Sequence, residues 1–260
     1  MSELRVRMDP LNPGHFFACC GLLELVTVDH AGALSRFVLN ESQPRVAEFV
    51  IETGEGHGIE LAEVLARLRA AALSYPGEEI EPAVRPVSIP YNGIALILDW
   101  WLNEFRDDTE NLKCWAGQVT TKKVVSELLP LLSDADPDGD LFASSNMTKA
   151  KFGVDPRSAW NALDCGFSPN EHGHDSATYP AVEILAAIGL QGFRPQAERR
   201  DAVRYCLWQT PLPAAVARLA FCQPWTGLPH RPYSFSIKKR GQSYKYFTFA
   251  VELGKEHRAV

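Results

Sequence analysis

The sequence contains no run of about 18 or more apolar residues, which excludes a transmembrane helix and argues against membrane partners. Its N-terminus lacks a charged segment followed by an apolar one, so we expect no secretory signal and a cytoplasmic location. The six cysteines form no CxxC pair, which excludes a zinc ribbon or a disulfide framework and favours reduced thiols. No P-loop, GxSxG, HExxH or GxGxxG motif occurs, so no motif indicates an enzyme, a metal ion or a cofactor.

Composition places the chain among ordinary globular proteins. Of its 260 residues, 46% are hydrophobic and 22% are charged, so the chain is long and apolar enough to bury a substantial core. No tandem repeat or clear linker divides it. We therefore expect a single α+β unit over residues 1–260. The alternative is two lobes, an acidic lobe over 1–140 and a lobe over 141–260 with the basic C-terminal part.

Apolar periodicity predicts both strands and helices. Leu4, Val6 and Met8 alternate with polar residues, which is typical of a half-buried strand, and Asn12 can cap a following helix. Two further segments combine apolar with small residues, and we expect both to be buried helices; they are HFFACCGLLELVTV and YPAVEILAAIGLQGF. Gly21 in the first helix costs stability, for which close packing can compensate. The similarity of the segments fits either a duplicated core or two core helices of like composition.

The C-terminal part of the sequence predicts a β-hairpin. Two arms of alternating residues in PYSFSIKKRGQSYKYFTFAVEL are separated by a turn near Arg240 and Gly241. The first elements of the chain have the order strand, helix, strand, strand. Together these features predict an α+β fold, in which a mixed or antiparallel sheet packs against the two small-residue helices.

Charge is distributed unevenly along the chain. The net charge is −6, from 26 basic and 32 acidic residues, yet residues 194–260 hold 12 Lys and Arg against 4 Asp and Glu, a net charge of +8. A basic tail on an acidic body can attract a polyanion or an acidic partner protein, and it can equally fold against its own body. The sequence leaves these interpretations open.

Two cation-bearing segments are candidates for nucleic-acid binding. In the mid-chain segment SSNMTKAKFGVDPR, amide and ammonium groups could bind phosphates or a base edge. At the hairpin tip, cations could approach phosphates while a tyrosine stacks on a base, although charge at such a tip also serves solubility. The candidate residues are Asn146, Lys149, Lys151, Arg157, Lys238, Lys239, Arg240, Gln242, Tyr244 and Lys245.

Three other clusters carry residue types that bind metals or act as nucleophiles. His15 and Cys19 have the spacing of a metal-binding or nucleophilic pair, but their apolar surroundings favour a core or capping role. His172, His174 and Asp175 could hold a divalent metal ion in a hydrolase, or could simply be solvated. The acidic run DADPDGD lacks the bidentate glutamate of a calcium loop, so an exposed turn is favoured.

Three strings resemble, in their order along the chain, the signature of a known family. They are LNPGHFFACCGLLEL near the N-terminus, KFGVDPRSAWNALDCGFSPNE in the middle and YPAVEILAAIGLQGFRP after it. In these strings the sequence is similar to small CRISPR-associated proteins of type I-U systems, also called type I-G, which are related to the large-subunit, Cas-eight-like group. The resemblance covers about residues 1–30 and 150–210. Its N-terminal motif residues belong to a turn and a core helix.

The resemblance implies a non-catalytic subunit of an RNA-guided surveillance complex of the Cascade type. Such a subunit would help to bind target DNA, inspect the short flanking motif and recruit the helicase-nuclease. Its partners would be guide RNA, target DNA, and the backbone and guide-processing subunits. The C-terminal helical bundle of larger relatives has no counterpart in this sequence, so its work would fall to another protein. The alternatives are a metal-assisted hydrolase that uses His172 and His174, and a structural adaptor protein.

Overall fold

Five α-helices and twelve β-strands form the described part of the chain. The structure is a computed structural model that describes residues 2–54, 58–76, 80–81, 84–102, 112–115, 119–133, 140–159, 176–195, 202–222, 227–240 and 244–254. The helices are α1 (Pro13–Asp29), α2 (Leu61–Arg69), α3 (Thr121–Leu128), α4 (Pro180–Gly192) and α5 (Ala214–Ala220). The strands are β1 (Ser2–Met8), β2 (Leu34–Leu39), β3 (Ala47–Thr53), β4 (Val87–Tyr91), β5 (Ile94–Leu98), β6 (Asn146–Thr148), β7 (Ser176–Thr178), β8 (Ala202–Trp208), β9 (Leu212–Pro213), β10 (His230–Arg240), β11 (Tyr244–Phe247) and β12 (Val251–Glu252).

The strands pair antiparallel and form two larger sheets and two small ones. The first sheet has the order β1-β3-β2-β9, and in the second β10 pairs with β8, β11 and β12. The remaining sheets are the pairs β4-β5 and β6-β7. This arrangement confirms the α+β fold with antiparallel sheets. The predicted hairpin is confirmed by β10 and β11, in which Lys239 lies opposite Lys245.

Helices α1 and α4 are the two small-residue segments, and both are buried over most of their length. Asn12 caps α1 as predicted, because its Oδ1 accepts hydrogen bonds from the backbone N–H groups of Gly14 (2.9 Å) and His15 (3.3 Å). The helices run in the same direction, since Gly14 lies beside Val182 near their starts and Glu24 lies beside Gly192 near their ends. Their N-termini therefore meet on one side of the core.

Both halves of the chain contribute to one hydrophobic core. The Tyr205 hydroxyl of β8 donates to the Pro10 carbonyl oxygen at 2.6 Å, and Trp208 Nε1 donates to the Ser35 carbonyl oxygen at 2.8 Å. Strand β9 extends the sheet that begins with β1. The second sheet is thus attached to the first by buried polar contacts as well as by apolar packing. A division into lobes near residue 140 stays a prediction.

Two expectations from composition can be compared with the described residues. None of the helices in these ranges is long and apolar enough to cross a membrane. Of the described cysteines, Cys222 is exposed and the other four are buried thiols; these are Cys19, Cys20, Cys114 and Cys206. Cysteine therefore serves mainly as a small apolar side chain in this core.

Candidate nucleic-acid interface

The mid-chain and hairpin segments, which the sequence singled out separately, form parts of the wall of one cleft. Its volume is about 290 Å³, and its lining includes Lys149 and Lys151 from the first segment and Tyr244 and Lys245 from β11. Helix α3 adds Lys123. About 95 residues separate the two candidate segments in sequence, so only the fold brings their cations together.

Backbone hydrogen bonds hold the mid-chain segment against β11. The Phe247 N–H donates to the Gly153 carbonyl oxygen at 3.2 Å, and the Lys245 N–H donates to the Cys114 carbonyl oxygen at 2.9 Å. Gly153 has a φ of 84°, and a Cβ at this position would lie 3.0 Å from Cys114 Cβ. A glycine is required here because the backbone adopts a left-handed conformation and lies close to another segment of the protein.

A buried carboxylate from α4 accepts hydrogen bonds from the backbone of the same segment. Glu183 Oε2 accepts hydrogen bonds from the N–H groups of Phe152 (2.7 Å) and Gly153 (3.1 Å), and no part of Glu183 is exposed. Burial, and to a smaller extent the nearby charge of Asp155, raises the pKa of Glu183 to about 7. The backbone of the cleft is thus attached to one of the two core helices.

Asp155 attaches the segment to the other core helix. Its Oδ1 accepts from Asn12 Nδ2 at 3.0 Å, so the residue that caps α1 also binds the cleft segment. Burial opposes ionisation of Asp155, but the hydrogen bonds and the charge of Arg157 outweigh it and lower the pKa of Asp155. The carboxylate is 1% exposed, and its charge is compensated by Arg157.

Positive charge is concentrated at the cleft. Among the described residues, four lysines line it, and Asp155, the one lining carboxylate in that set, is already paired. Lys151 is held in place, since its Nζ donates to the Ser158 carbonyl oxygen (2.7 Å) and to Ser176 Oγ (2.8 Å). Lys149 is exposed and forms no ion pair with a carboxylate of the described ranges. An anion entering the cleft would meet cations from three separate segments.

Crowding of like charge extends from the cleft to its neighbours. Burial, followed by the charge of Lys245, lowers the pKa of Lys113. Lys239 lies directly opposite Lys245 across the hairpin, and like charges in that position destabilise a strand pair. A bound polyanion would remove part of this repulsion. This local arrangement of like charge favours an anionic ligand.

Aromatic residues form the floor of the cleft. Trp115 and Phe152 line it with their ring centroids 5.3 Å apart, and Trp101 lies 5.3 Å from Trp115 on the side of the core. Tyr244 and Tyr246 are half-buried in the wall. Trp115 and Phe152 are buried beneath the lining, so the rings that a base could contact are those of the two tyrosines, which lie beside the cations that phosphates require.

Several predicted site residues lie outside this lining or serve another purpose. Arg157 binds Asp155, donates to the Phe142 carbonyl oxygen at 2.9 Å and stacks 3.5 Å over the Tyr179 ring. Its guanidinium is therefore engaged by contacts within the protein. Asn146 pairs with Thr178 in the β6-β7 sheet. Lys238 and Lys239 are exposed on β10. The Arg240 side chain and Gln242 lie outside the described residues.

Sequence reasoning missed Lys123, Trp115 and Tyr246. Lys123 lies on α3, and its spacing to Glu127 indicates an ordinary surface ion pair, which the structure contains at 3.8 Å. Trp115 gave no signal because aromatic residues are usual in a core. The sequence pattern offers no way to place either residue beside Lys149, since that proximity depends on packing between distant segments.

The other candidate clusters receive no metal-binding geometry in the described part of the chain. No group of three His, Cys, Asp or Glu side chains there is placed to hold a metal ion. His15 is buried, its Nδ1 accepts from the Asp9 N–H at 3.0 Å, and burial lowers its pKa to about 3. This agrees with a capping and core role for His15. His172, His174, Asp175 and most of the acidic run DADPDGD lie outside the described residues.

Part of the positive charge of the C-terminal region is used inside the protein. Arg218 binds Glu24, and Arg231 binds both Glu41 and Glu252, the latter at 2.8 Å. These arginines therefore attach the basic tail to the acidic body, as one interpretation of the sequence anticipated. Lys238 and Lys239 are exposed and form no ion pair with a described carboxylate, so they remain as outward-facing charge.

A comparison of the chain with protein-family models, with curated proteins and with solved structures finds no match.

Proposed function

We propose that this protein is a non-catalytic, nucleic-acid-binding subunit of a type I CRISPR RNA-guided surveillance complex. The observation that carries the proposal is the convergence of Lys149, Lys151, Tyr244 and Lys245 on one cationic cleft. Two segments that were selected for their nucleic-acid-binding chemistry, and not for their proximity, line the same surface. The resemblance of the N-terminal and central strings to type I-U proteins supplies the biological context.

The geometry supports a role in holding a nucleic-acid backbone. In RNA-guided recognition, base pairing reads the target sequence, while the protein binds backbones and a short flanking motif. Such a role needs a local cluster of cations and not a uniformly basic surface, which fits a protein with a net charge of −6. In this proposal the partners are guide RNA, target DNA, the other complex subunits and the helicase-nuclease, and the complex acts in the cytoplasm.

The proposal is tested by charge reversal in the assembled complex. The protein is co-expressed with a guide RNA and the backbone subunits, and target-DNA binding is measured for wild type, Lys149→Glu and Lys238→Glu. Since each lost phosphate contact reduces the electrostatic contribution, we expect weaker DNA or guide-RNA retention and a salt dependence that is shallower by about one unit in log–log slope.

A matched variant controls for the change of net charge. Arg7→Glu reverses one positive charge on the exposed face of β1, outside the cleft lining. It should leave both affinity and salt slope unchanged. Failure of the chain to co-purify with guide RNA and backbone subunits, or equal effects of Arg7→Glu and Lys149→Glu, would refute the proposal.

A further inference from the structure

We infer that the cleft holds a single unstacked nucleotide of a single-stranded polynucleotide, with the adjoining phosphates on its lysines. This inference rests on the proposed function, and it specifies which form of nucleic acid the site accepts. It follows from three properties of the cleft: its size, the division of its lining into charged and apolar parts, and one buried hydroxyl without a partner.

The size of the cleft favours one nucleotide over a duplex. A volume of about 290 Å³ lies at the small end of the range for sites that enclose a small molecule. In a duplex the bases are stacked inside and the phosphates lie outside, so a duplex could contact the mouth of the cleft but not fill it. A single strand can turn one base out of the stack and place it in a pocket.

The lining has the polarity of a nucleotide. Lys123, Lys149 and Lys245 supply positive charge for phosphate oxygens, whereas the half-buried rings of Tyr244 and Tyr246 offer apolar surface to a base. Stacking of this kind is tolerant of sequence, because every base has a π-face. The site therefore fits a protein that holds a strand whose sequence is read by base pairing elsewhere.

Ser158 provides an independent indication of a ligand. It lines the cleft and is only 4% exposed, yet its Oγ has no hydrogen-bond partner among the described residues. A buried hydroxyl without a partner is unfavourable, and native proteins seldom keep one without a reason. The Oγ itself has almost no accessible surface in the unbound protein, so rotation of the hydroxyl toward the cleft would let a nucleotide complete this hydrogen bond.

The experiment measures direct binding of defined strands to the full chain. Fluorescein-labelled single-stranded RNA of about 12 nucleotides, DNA of the same sequence and the corresponding DNA duplex are titrated by fluorescence anisotropy. We expect at least one single strand to bind about tenfold more tightly than the duplex. The RNA and DNA arms distinguish a guide strand from a target strand as the source of the nucleotide.

Substitutions at two positions, Ser158 and Tyr244, test the site without disturbing the core. Ser158→Ala removes a hydroxyl that has no partner among the described residues, and we expect it to weaken single-strand binding several-fold while the melting temperature stays unchanged. Tyr244→Ala should weaken single-strand binding and Tyr244→Phe should restore it, because the ring is what a base stacks on. Phe249→Ala, an exposed aromatic residue outside the cleft lining, is the matched control and should have no effect.

The outcomes separate this inference from the proposed function. Duplex binding that equals or exceeds single-strand binding, with Lys149→Glu weakening both, would overturn the single-nucleotide site and leave a nucleic-acid-binding subunit. Absence of binding to all three probes, or single-strand binding that is insensitive to Ser158→Ala and Tyr244→Ala, would also overturn it. The proposed function would in each case still be judged by retention of nucleic acid in the assembled complex.

Discussion

The helix pair α1–α4 and the lysine cleft differ in how closely their backbone segments pack. At the helix crossing, a Cβ on Gly21 would lie 1.9 Å from the Leu185 carbonyl oxygen, and one on Gly189 would lie 2.0 Å from the Phe17 carbonyl oxygen. No space remains between these helices. At the cleft, three segments approach one another but leave a volume of about 290 Å³ between them, lined by charged side chains.

The comparison separates the residues that stabilise the core from the residues proposed to bind nucleic acid. Two buried carboxylates connect the two groups. The helix crossing excludes water and carries no charge, so its residues can contribute only to folding. The cleft lysines are exposed or half-buried and contribute little to the core. Glu183 and Asp155 connect the two regions. Glu183, in the first turn of α4, accepts a hydrogen bond from the backbone of the cleft segment. Asp155, in the cleft segment, accepts one from the side chain of Asn12 at the start of α1.

The largest effect is expected at the helix crossing. Gly21→Ala and Gly189→Ala each place a methyl group on a backbone carbonyl that cannot move without separating the helices, and we expect each to cost about 3 kcal/mol or more in the free energy of unfolding. Urea denaturation measures this. Gly32→Ala is the control, since nothing lies within 4 Å of a Cβ there. Equal stability of the three variants would contradict the close crossing.

A somewhat smaller loss is expected where the two regions are joined. Asp155→Ala leaves Arg157 and Asn12 Nδ2 without their buried acceptor, and we expect a loss of about 3 kcal/mol in the free energy of unfolding. Glu63→Ala removes an exposed partner of Arg67 and should cost no more than about 0.5 kcal/mol. A similar cost for the two variants would mean that Asp155 does not connect the cleft to α1.

The pH dependence of stability should report on Glu183. Its pKa is raised from 4.5 to about 7 in the folded protein. Between pH 4.5 and pH 7, Glu183 therefore keeps its proton in the folded state but has lost it in the unfolded state. Its contribution to stability is complete below pH 4.5 and is lost as the pH rises through about 7. Relative to Glu183→Gln, which cannot ionise, the wild type should lose about 2 kcal/mol between pH 5 and pH 7.5.

The difference between these two proteins removes other titrating groups from the comparison. His15, whose pKa is lowered by burial, and Asp155, whose pKa is lowered by Arg157, are present in both and cancel. Urea denaturation at several pH values supplies the measurement. A constant difference across this range would show that Glu183 is already ionised in the folded protein at pH 5.

The smallest effect on stability is expected at the cleft itself. Lys149 is exposed and forms no ion pair with a described carboxylate, so Lys149→Glu should change the free energy of unfolding by no more than about 0.5 kcal/mol. Its melting temperature should match that of Arg7→Glu. A large loss of stability would mean that Lys149 supports the fold, and the separation between scaffold and binding surface would not hold.

Local patterns predicted the elements, but not the site. The alternation around Val6, the cap at Asn12 and the small residues around Gly21 predicted β1, α1 and the close helix packing, because each depends on neighbours in sequence or on one period. The mid-chain and hairpin cations were identified by residue type. Their meeting at one cleft could not be predicted, since it depends on the packing of α4, β11 and the segment after β6.

Arg157 illustrates a signal that was present but not used. An aspartate two residues before an arginine can accept from its backbone N–H, and Asp155 does so at 2.9 Å while it also binds the guanidinium. The local sequence therefore indicated an internal partner for Arg157. Lys149 has no such neighbour, which is why the lysines and not this arginine face the cleft.

Ultraviolet cross-linking in the assembled complex tests the central claim most directly. After cross-linking to guide RNA and target DNA, peptides that carry nucleotide adducts are mapped by mass spectrometry. The cleft account predicts adducts on the peptide that contains Tyr244 and Tyr246, and loss of these adducts in Lys149→Glu. Adducts confined to other surfaces of the protein, with this peptide unmodified, would contradict it.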